Sequence, residues 1–175
     1  MKQNLVVLVE DKPGVLNRVA SLFRRRNFNI ASLSVGHTHT PGVSRMTITT
    51  DEEELLRRNV VRQNLLKLVN VIDVDDVTEV ACVFREMALI KVTADATSRA
   101  EIMNIADIYR ARIVDVATNS VIVEITGDSD KIDALAELLA PFGILEMART
   151  GRMAMKRGAV TPRAEYTDTR NGHGG

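Results

Sequence analysis

The chain has 175 residues, and 23 lysines and arginines balance 23 aspartates and glutamates, so its formal net charge is zero. Broad electrostatic attraction to nucleic acid or to an anionic membrane is therefore not expected. Apolar residues make up 45%, which is typical of a globular protein, and aromatics only 3%, which disfavours base-stacking surfaces. A single cysteine, Cys82, excludes an internal disulfide and fits a reducing compartment. No apolar run approaches membrane-spanning length, so no membrane span is predicted. The reducing compartment that we expect is the cytoplasm.

The first half of the chain predicts strands and helices in the order βαββαβ. A short β-branched run ends at a charged turn containing Pro13 and Gly14, the pattern of a buried strand. Apolar residues at helical spacing and three arginines near the helix end follow, with Asn27 as a left-handed cap. Asp51 is the predicted N-cap of a second helix, with Glu52–Glu54 in its first turn. Predicted strands cover residues 5–9, 30–35, 43–50 and 69–77, a hairpin loop covers 37–42, and helices cover 15–26 and 52–67.

The second half repeats the same order of elements. Strands are predicted over residues 88–93, 113–116, 120–126 and 144–148, and apolar helix faces over 102–109 and 132–139. Residues 78–87 are predicted to link the halves without a Pro or Gly run. We therefore predict domains at residues 1–79 and 80–158. Residues 159–175 lack an apolar period and are predicted to be a disordered tail.

Two βαββαβ units predict an α+β protein with two ferredoxin-like domains. Right-handed crossovers give each sheet the strand order 4-1-3-2, with both helices on one face. The other sheet face needs a cover, and because large aromatics are few, we expect sheet or subunit packing to supply it. The second strand is an edge in this order, and edges invite pairing with another chain, so a dimer is predicted.

The turn from Glu10 to Val15 is a candidate binding site. The N–H groups of Gly14, Val15 and Leu16 have no partners within a helix, so they are free to hold a carboxylate. The Asp11 side chain is suited to an ammonium group, and the two groups together describe an α-amino acid. Asn29, at the start of the second strand, is suited to orienting a small ligand across an interface. The alternative is a capped turn with Asp11 as N-cap or turn residue and a solvated Asn29; the residues alone leave both open.

Other polar clusters give weaker signals, and no catalytic or metal-binding residue is predicted. The His37-Thr38-His39 pair lacks a visible third ligand, and Asp73, Asp75 and Asp76 lack a calcium-type loop and are predicted to be solvated. Cys82 has no obvious histidine partner, and neither nucleophile-elbow nor phosphate-loop motifs occur. Six arginines are candidates for a basic face, but they are predicted to pair with water or with neighbouring residues instead; they are Arg24, Arg25, Arg26, Arg57, Arg58 and Arg62.

Stretches in both halves resemble a known family. In the first half they are residues 15–20, 28–35 and 44–48. In the second half they are residues 85–92, 109–116, 141–146 and 148–151. The first half resembles the ACT domain, an amino-acid-sensing ferredoxin-like module. Residues 3–158 together resemble the small regulatory subunit of acetolactate synthase (acetohydroxyacid synthase).

This resemblance implies a non-catalytic chain that binds the thiamine-diphosphate-dependent catalytic subunit, raises its activity and confers feedback inhibition by valine in branched-chain amino acid biosynthesis. Thiamine diphosphate, Mg²⁺ and FAD are expected on the catalytic subunit and no cofactor on this chain. The resemblance places valine between the ACT domains of a homodimer. One protomer would supply Asp11, Gly14 and Val15, and the other Asn29 and Ile30. The charged residues of the second half that are candidates for contact with the catalytic subunit are Lys91, Arg110, Arg112 and Arg149.

Two other function classes compete with this interpretation. A freestanding ACT-type sensor would regulate another enzyme or transcription, and the second-half resemblance argues against it. An independent enzyme would need catalytic residues, and we find no arrangement of them in the sequence.

Overall fold

The computed structural model describes residues 2–51 and 55–159, so Glu52–Glu54 and the predicted tail beyond residue 159 lie outside the described residues. None of the described helices is long and apolar enough to cross a membrane. In chain order the elements are β1 (Gln3–Glu10), α1 (Val15–Arg25), β2 (Ile30–His37), β3 (Val43–Thr50), α2 (Leu55–Leu66), β4 (Val71–Asp76), β5 (Cys82–Thr93), α3 (Arg99–Ile108), β6 (Arg112–Val116), β7 (Ser120–Gly127), α4 (Ser129–Leu139), β8 (Ile144–Arg149) and β9 (Met153–Lys156), with a 3-10 turn at Ala140–Phe142.

The first unit has a four-stranded antiparallel sheet in the order β2-β3-β1-β4, which confirms the predicted 4-1-3-2 order and the edge position of β2. Alternate β1 residues such as Leu5 and Val7 point to the helix-covered face, because side chains alternate across a strand. They pack against buried Val19 and Phe23 of α1 and Leu65 of α2. Both helices therefore lie on one sheet face, as predicted.

Two expectations about the first unit were wrong in detail. Leu16 belongs to the apolar helical pattern that predicts the buried face of α1, yet this residue is 45% exposed. Consecutive helical residues lie about 100° apart, so Leu16 faces away while Val15 is buried. The strand β2 also continues through His37, which was predicted as the start of the hairpin loop.

The second face of this sheet meets a returning segment of the chain that the sequence did not predict. Arg45 donates to the carbonyl of Ala154, and the Ala154 N–H donates to Thr47 Oγ1 at 3.4 Å. Lys156 forms an ion pair with Asp75. Ala154 is buried, so the segment belongs to the packing of the first unit. Within this unit a piece of the same chain therefore supplies part of the cover expected from sheet or subunit packing.

The second unit repeats the fold with the strand order β6-β7-β5-β8 and its own buried core. The described residues divide into one unit of residues 2–51, 55–82 and 154–159, and another of residues 83–153. Residues 154–158 were predicted in the second domain, but they group with the first, where Ala154 contacts Arg45 and Thr47 and Lys156 pairs with Asp75. The predicted linker is also shorter than expected, because β5 begins at Cys82.

The first helix of each unit ends in the same way, with a non-glycine residue in the left-handed region. Asn27 follows α1 with φ 55°, which confirms its predicted capping role, and Arg110 follows α3 with φ 53°. The N–H of the following residue then donates to a carbonyl in the last turn of each helix. Phe28 N–H donates to the Phe23 carbonyl at 3.0 Å, and Ala111 N–H donates to the Ala106 carbonyl at 2.8 Å. Asn tolerates this conformation better than Arg does, because its short polar side chain can bond locally.

We expect Arg110→Gly to raise the free energy of unfolding of the second unit by about 0.5–1 kcal/mol, because glycine carries no Cβ penalty at positive φ. Urea denaturation measures the change. Arg112→Gly is the matched control, since it removes an exposed arginine from strand β6 and should lower stability instead. A loss of stability in both variants would contradict the explanation from backbone conformation.

Candidate functional site

The turn between β1 and α1 has the open backbone that a ligand site requires. Gly14 is the N-cap of α1, with φ 83° and no side-chain hydrogen bond to the cap. A Cβ built there would meet nothing within 4 Å, so space lies beside the glycine. The alternative in which Asp11 caps the helix is therefore wrong, because Gly14 occupies the cap position.

Two of the three predicted N–H donors have no partner within the part of the chain that the structure describes. Val15 N–H donates to the Lys12 carbonyl at 3.4 Å, so this donor is partly engaged. The N–H groups of Gly14 and Leu16 remain available at the positive end of α1, where an anion is favoured. The prediction of three free donors is corrected to two.

The β2–β3 hairpin holds the turn from one side through Asp11. The Asp11 N–H donates to the Gly42 carbonyl at 2.8 Å. The Ser44 hydroxyl donates to Asp11 Oδ1 at 3.2 Å, and His37 Nδ1 lies 3.3 Å from Asp11 Oδ2. Both carboxylate oxygens therefore have a neighbour on the hairpin.

Asn70 holds the turn from the other side through Glu10. The Glu10 N–H donates to the Asn70 carbonyl at 2.9 Å, and Asn70 Nδ2 donates to Glu10 Oε2 at 2.7 Å. Lys12 Nζ lies 2.9 Å from the same oxygen, and Arg18 of α1 donates to Asn70 Oδ1. The turn is thus fixed from both flanks, so little ordering entropy remains to be lost when a ligand binds.

Asn29 and Ile30 lie at the opposite end of β2 from the part that meets the turn. Asn29 is exposed, and its Nδ2 donates to Asp51 Oδ2 at 2.5 Å. This hydrogen bond lowers the pKa of the Asp51 carboxyl. Ile30 is half-buried against the core of the first unit. Within one protomer, Asn29 therefore does not reach Asp11. The interface prediction assigns these two residues to different protomers.

The acidic residues of β4 have separate partners and do not converge. Asp75 pairs with Lys156, and Asp76 accepts from Gln3 Nε2 at 2.7 Å. Asp73 accepts from the N–H of the next residue at 2.9 Å. They were expected to be solvated, but packed polar neighbours engage two of them. Among residues 2–51 and 55–159, no three His, Cys, Asp or Glu side chains are placed to hold a metal.

The arginines that were candidates for a basic face have different partners. Arg25 donates to the Ser21 carbonyl at 3.3 Å, Arg26 to Asn64 Oδ1 at 3.3 Å and Arg62 to the Val74 carbonyl at 3.2 Å. Arg58 is buried and lies 3.3 Å from Glu79, which matches the expected ion pairing. Arg57 instead stands 5.4 Å from the ring centre of Phe28, a cation–π arrangement.

The charged candidates of the second unit have different surroundings. Arg149 donates to both Glu86 oxygens at 2.8 and 2.7 Å, and Lys91 lies 3.7 Å from Glu146. Arg149 is therefore engaged in its own unit. The two without an acidic partner among the described residues are Arg110 and Arg112.

Comparison with known proteins assigns the family. The family described as "AHAS small subunit-like ACT domain" matches residues 5–73, and "Small subunit of acetolactate synthase" matches residues 85–158. A probable acetolactate synthase small subunit of Archaeoglobus fulgidus is 51% identical over 90% of this chain and 98% of that protein. This chain belongs to the acetolactate synthase small subunit family. The small subunit of Mycolicibacterium smegmatis is 49% identical over 88% of this chain and 90% of its own length.

The fold of this family member agrees with a solved relative. A crystal structure of the acetolactate synthase small subunit from Thermotoga maritima superposes with a TM-score of 0.83 and 40% identity, covering 91% of this chain and 99% of that one. The predicted fold class and family resemblance are confirmed. Three residues that fix the turn were not predicted, because they reach it through tertiary contacts that no local motif signals; they are Gly42, Ser44 and Asn70.

Proposed function

We propose that this chain is the non-catalytic regulatory subunit of acetolactate synthase. It binds the thiamine-diphosphate-dependent catalytic subunit, raises the rate of acetolactate formation from pyruvate and makes that rate sensitive to valine. Thiamine diphosphate, Mg²⁺ and FAD belong to the catalytic subunit. Membership of the small subunit family, with matches in both halves of the chain, supports the partnership.

The observation that supports the valine site is the distance along β2 between Asn29 and His37, the residue that contacts the turn. Asn29 precedes His37 by eight residues, which is about 26 Å along a strand. Since His37 meets the turn at Asp11, Asn29 of the same protomer is too far away to serve that turn. Antiparallel pairing of the edge strand β2 with its copy, centred near Leu33, brings Asn29 of the partner subunit to the turn. Each dimer would then hold two composite sites.

Each end of the amino acid has a matching group in this composite site. The free N–H groups of Gly14 and Leu16 and the α1 dipole suit the carboxylate. Asp11 suits the ammonium, and Asn29 of the partner subunit orients the ligand through its amide. Valine would bind better in one arrangement of the subunits, and this difference in affinity shifts the complex to the less active state.

The central test measures acetolactate formation by the catalytic subunit from the same source, with and without this chain, across a valine titration. Activation that valine reverses is the expected result. Activation without a valine response would reject the effector and retain the partnership. If the chain does not activate the enzyme at all, the freestanding-sensor alternative replaces the proposal.

The two-protomer site predicts complementation between variants. Gly14→Asp and Asn29→Ala chains should each be insensitive to valine as homodimers, because both of their sites are damaged. A random mixture restores one intact site in each heterodimer, about a quarter of all sites. Calorimetric titration with valine measures the recovered sites, and Asn59→Ala, at an exposed asparagine of α2, is the control. A mixture that recovers no binding would reject the composite site.

A further inference from the structure

We propose that His37 is a positioning residue of the valine site and makes effector affinity depend on pH. This inference rests on the proposed function, because it concerns the same turn. Ser44 and His37 each stand beside one oxygen of the Asp11 carboxylate, at 3.2 and 3.3 Å. Together with the Asp11 N–H bond to Gly42, they tie the effector turn to the hairpin at three points.

The two carboxylate oxygens of Asp11 differ in how accessible they are to a ligand. Oδ1 accepts the Ser44 hydroxyl, which fixes the rotation of the carboxylate. Oδ2 faces His37, whose side chain is 81% exposed, so a ligand can displace the imidazole. A ligand ammonium therefore shares Oδ2 with His37 or replaces it there.

The protonation state of His37 decides how strongly it competes with the ligand ammonium for Asp11 Oδ2. A neutral imidazole offers Asp11 one hydrogen bond at most, and an ammonium group forms a stronger charge-assisted contact. A protonated imidazolium forms an ion pair with Oδ2 and places a positive charge where the ammonium must bind. Protonation of His37 should therefore weaken valine binding, so the affinity should fall on acidification.

The other charged groups near Asp11 and His37 do not compete for Asp11 Oδ2 in place of His37. Lys12 lies 2.9 Å from Glu10, so these two charges largely offset each other. Arg45, which follows Ser44 on β3, donates to the carbonyl of Ala154. His39 is exposed in the hairpin loop and has no contact with Asp11 among the described residues.

The test is calorimetric titration of the full chain with valine at about pH 5.5 and pH 7.5. We expect binding to the wild type to be about 5- to 10-fold weaker at the lower pH, the effect of like charges about 4 Å apart in a hydrated site. His37→Gln keeps a hydrogen-bond donor without the charge. It should bind valine at pH 7.5 within about threefold of wild type and lose most of the pH dependence.

Control variants separate the possible failures. His39→Gln removes a neighbouring histidine and should retain the wild-type pH dependence. Ser44→Ala releases Oδ1 and should weaken binding at both pH values while the dependence persists. Equal pH dependence in wild type and His37→Gln would overturn the role of His37 and leave the proposed function standing. Absence of valine binding at every pH would overturn both.

Discussion

Gly14→Asp is expected to raise the valine concentration for half-inhibition at least tenfold, the largest effect predicted for the effector site. Gly14 lies at the N-terminus of α1 with open space beside it, so a side chain fits without a clash. An aspartate there would accept the helix N–H groups as capping residues do, and so occupy the donors meant for the ligand carboxylate. Its charge would also repel that carboxylate, by about 1–4 kcal/mol at contact distance.

Gly14→Asn is the matched control for backbone strain. Position 14 has φ 83°, where both variants carry the same Cβ penalty, and Asn has the shape of Asp without its charge. Valine titrations of the activated complex should place Gly14→Asn between wild type and Gly14→Asp, with all three chains activating the catalytic subunit. Equal loss in the two variants would assign the effect to strain, and unchanged sensitivity in Gly14→Asp would remove the turn from the site.

The first half of the chain shows which features of the fold a local sequence pattern can predict. The predicted strand 43–50 matches β3 to the residue, and Asn27 adopts its predicted left-handed conformation. These features are local, since alternation and a helix end can be recognised within a few residues. The candidate turn was found for the same reason, because Gly14 next to a predicted helix start marks a backbone available to an anion.

Long-range packing was what the sequence could not show. Residues 153–156 form β9, a short strand whose Ala154 contacts β3 more than a hundred residues earlier, and nothing in its four residues signals that partner. The local sequence around Ser44 predicts an ordinary strand residue and does not indicate that its hydroxyl donates to Asp11. The sequence pattern therefore located the ligand-facing backbone, but only tertiary structure revealed the side chains that hold it.

Arg149→Ala should produce the largest loss of stability in the second unit, about 2–4 kcal/mol. Glu86 is buried at 5% exposure, and Arg149 donates to both of its oxygens while also bonding Asp133 at 2.6 Å. Removing the guanidinium leaves a buried carboxylate whose one remaining side-chain hydrogen-bond donor, among the residues that the structure describes, is the Ser129 hydroxyl. The estimate lies below that for a fully buried pair because Arg149 is itself 31% exposed. Urea denaturation together with amide exchange in β5 and β8 measures the loss, and Arg112→Ala on exposed β6 should change stability by less than about 0.5 kcal/mol.

The Arg149–Glu86 pair also determines the direction in which the stability of the second unit changes with pH. The Arg149 hydrogen bonds lower the pKa of Glu86 in the folded state, so its contribution to stability is present above the unfolded value of about 4.3 and is lost as pH falls through the lowered folded value. In Arg149→Ala, burial without the cation disfavours the charged carboxylate, and protonation relieves that cost. The stability difference between wild type and variant should therefore shrink steadily as the pH is lowered below about 4.5. A difference that stays constant from neutral to acidic pH would mean that Arg149 stabilises the unit by packing, and that its charge is not what Glu86 requires.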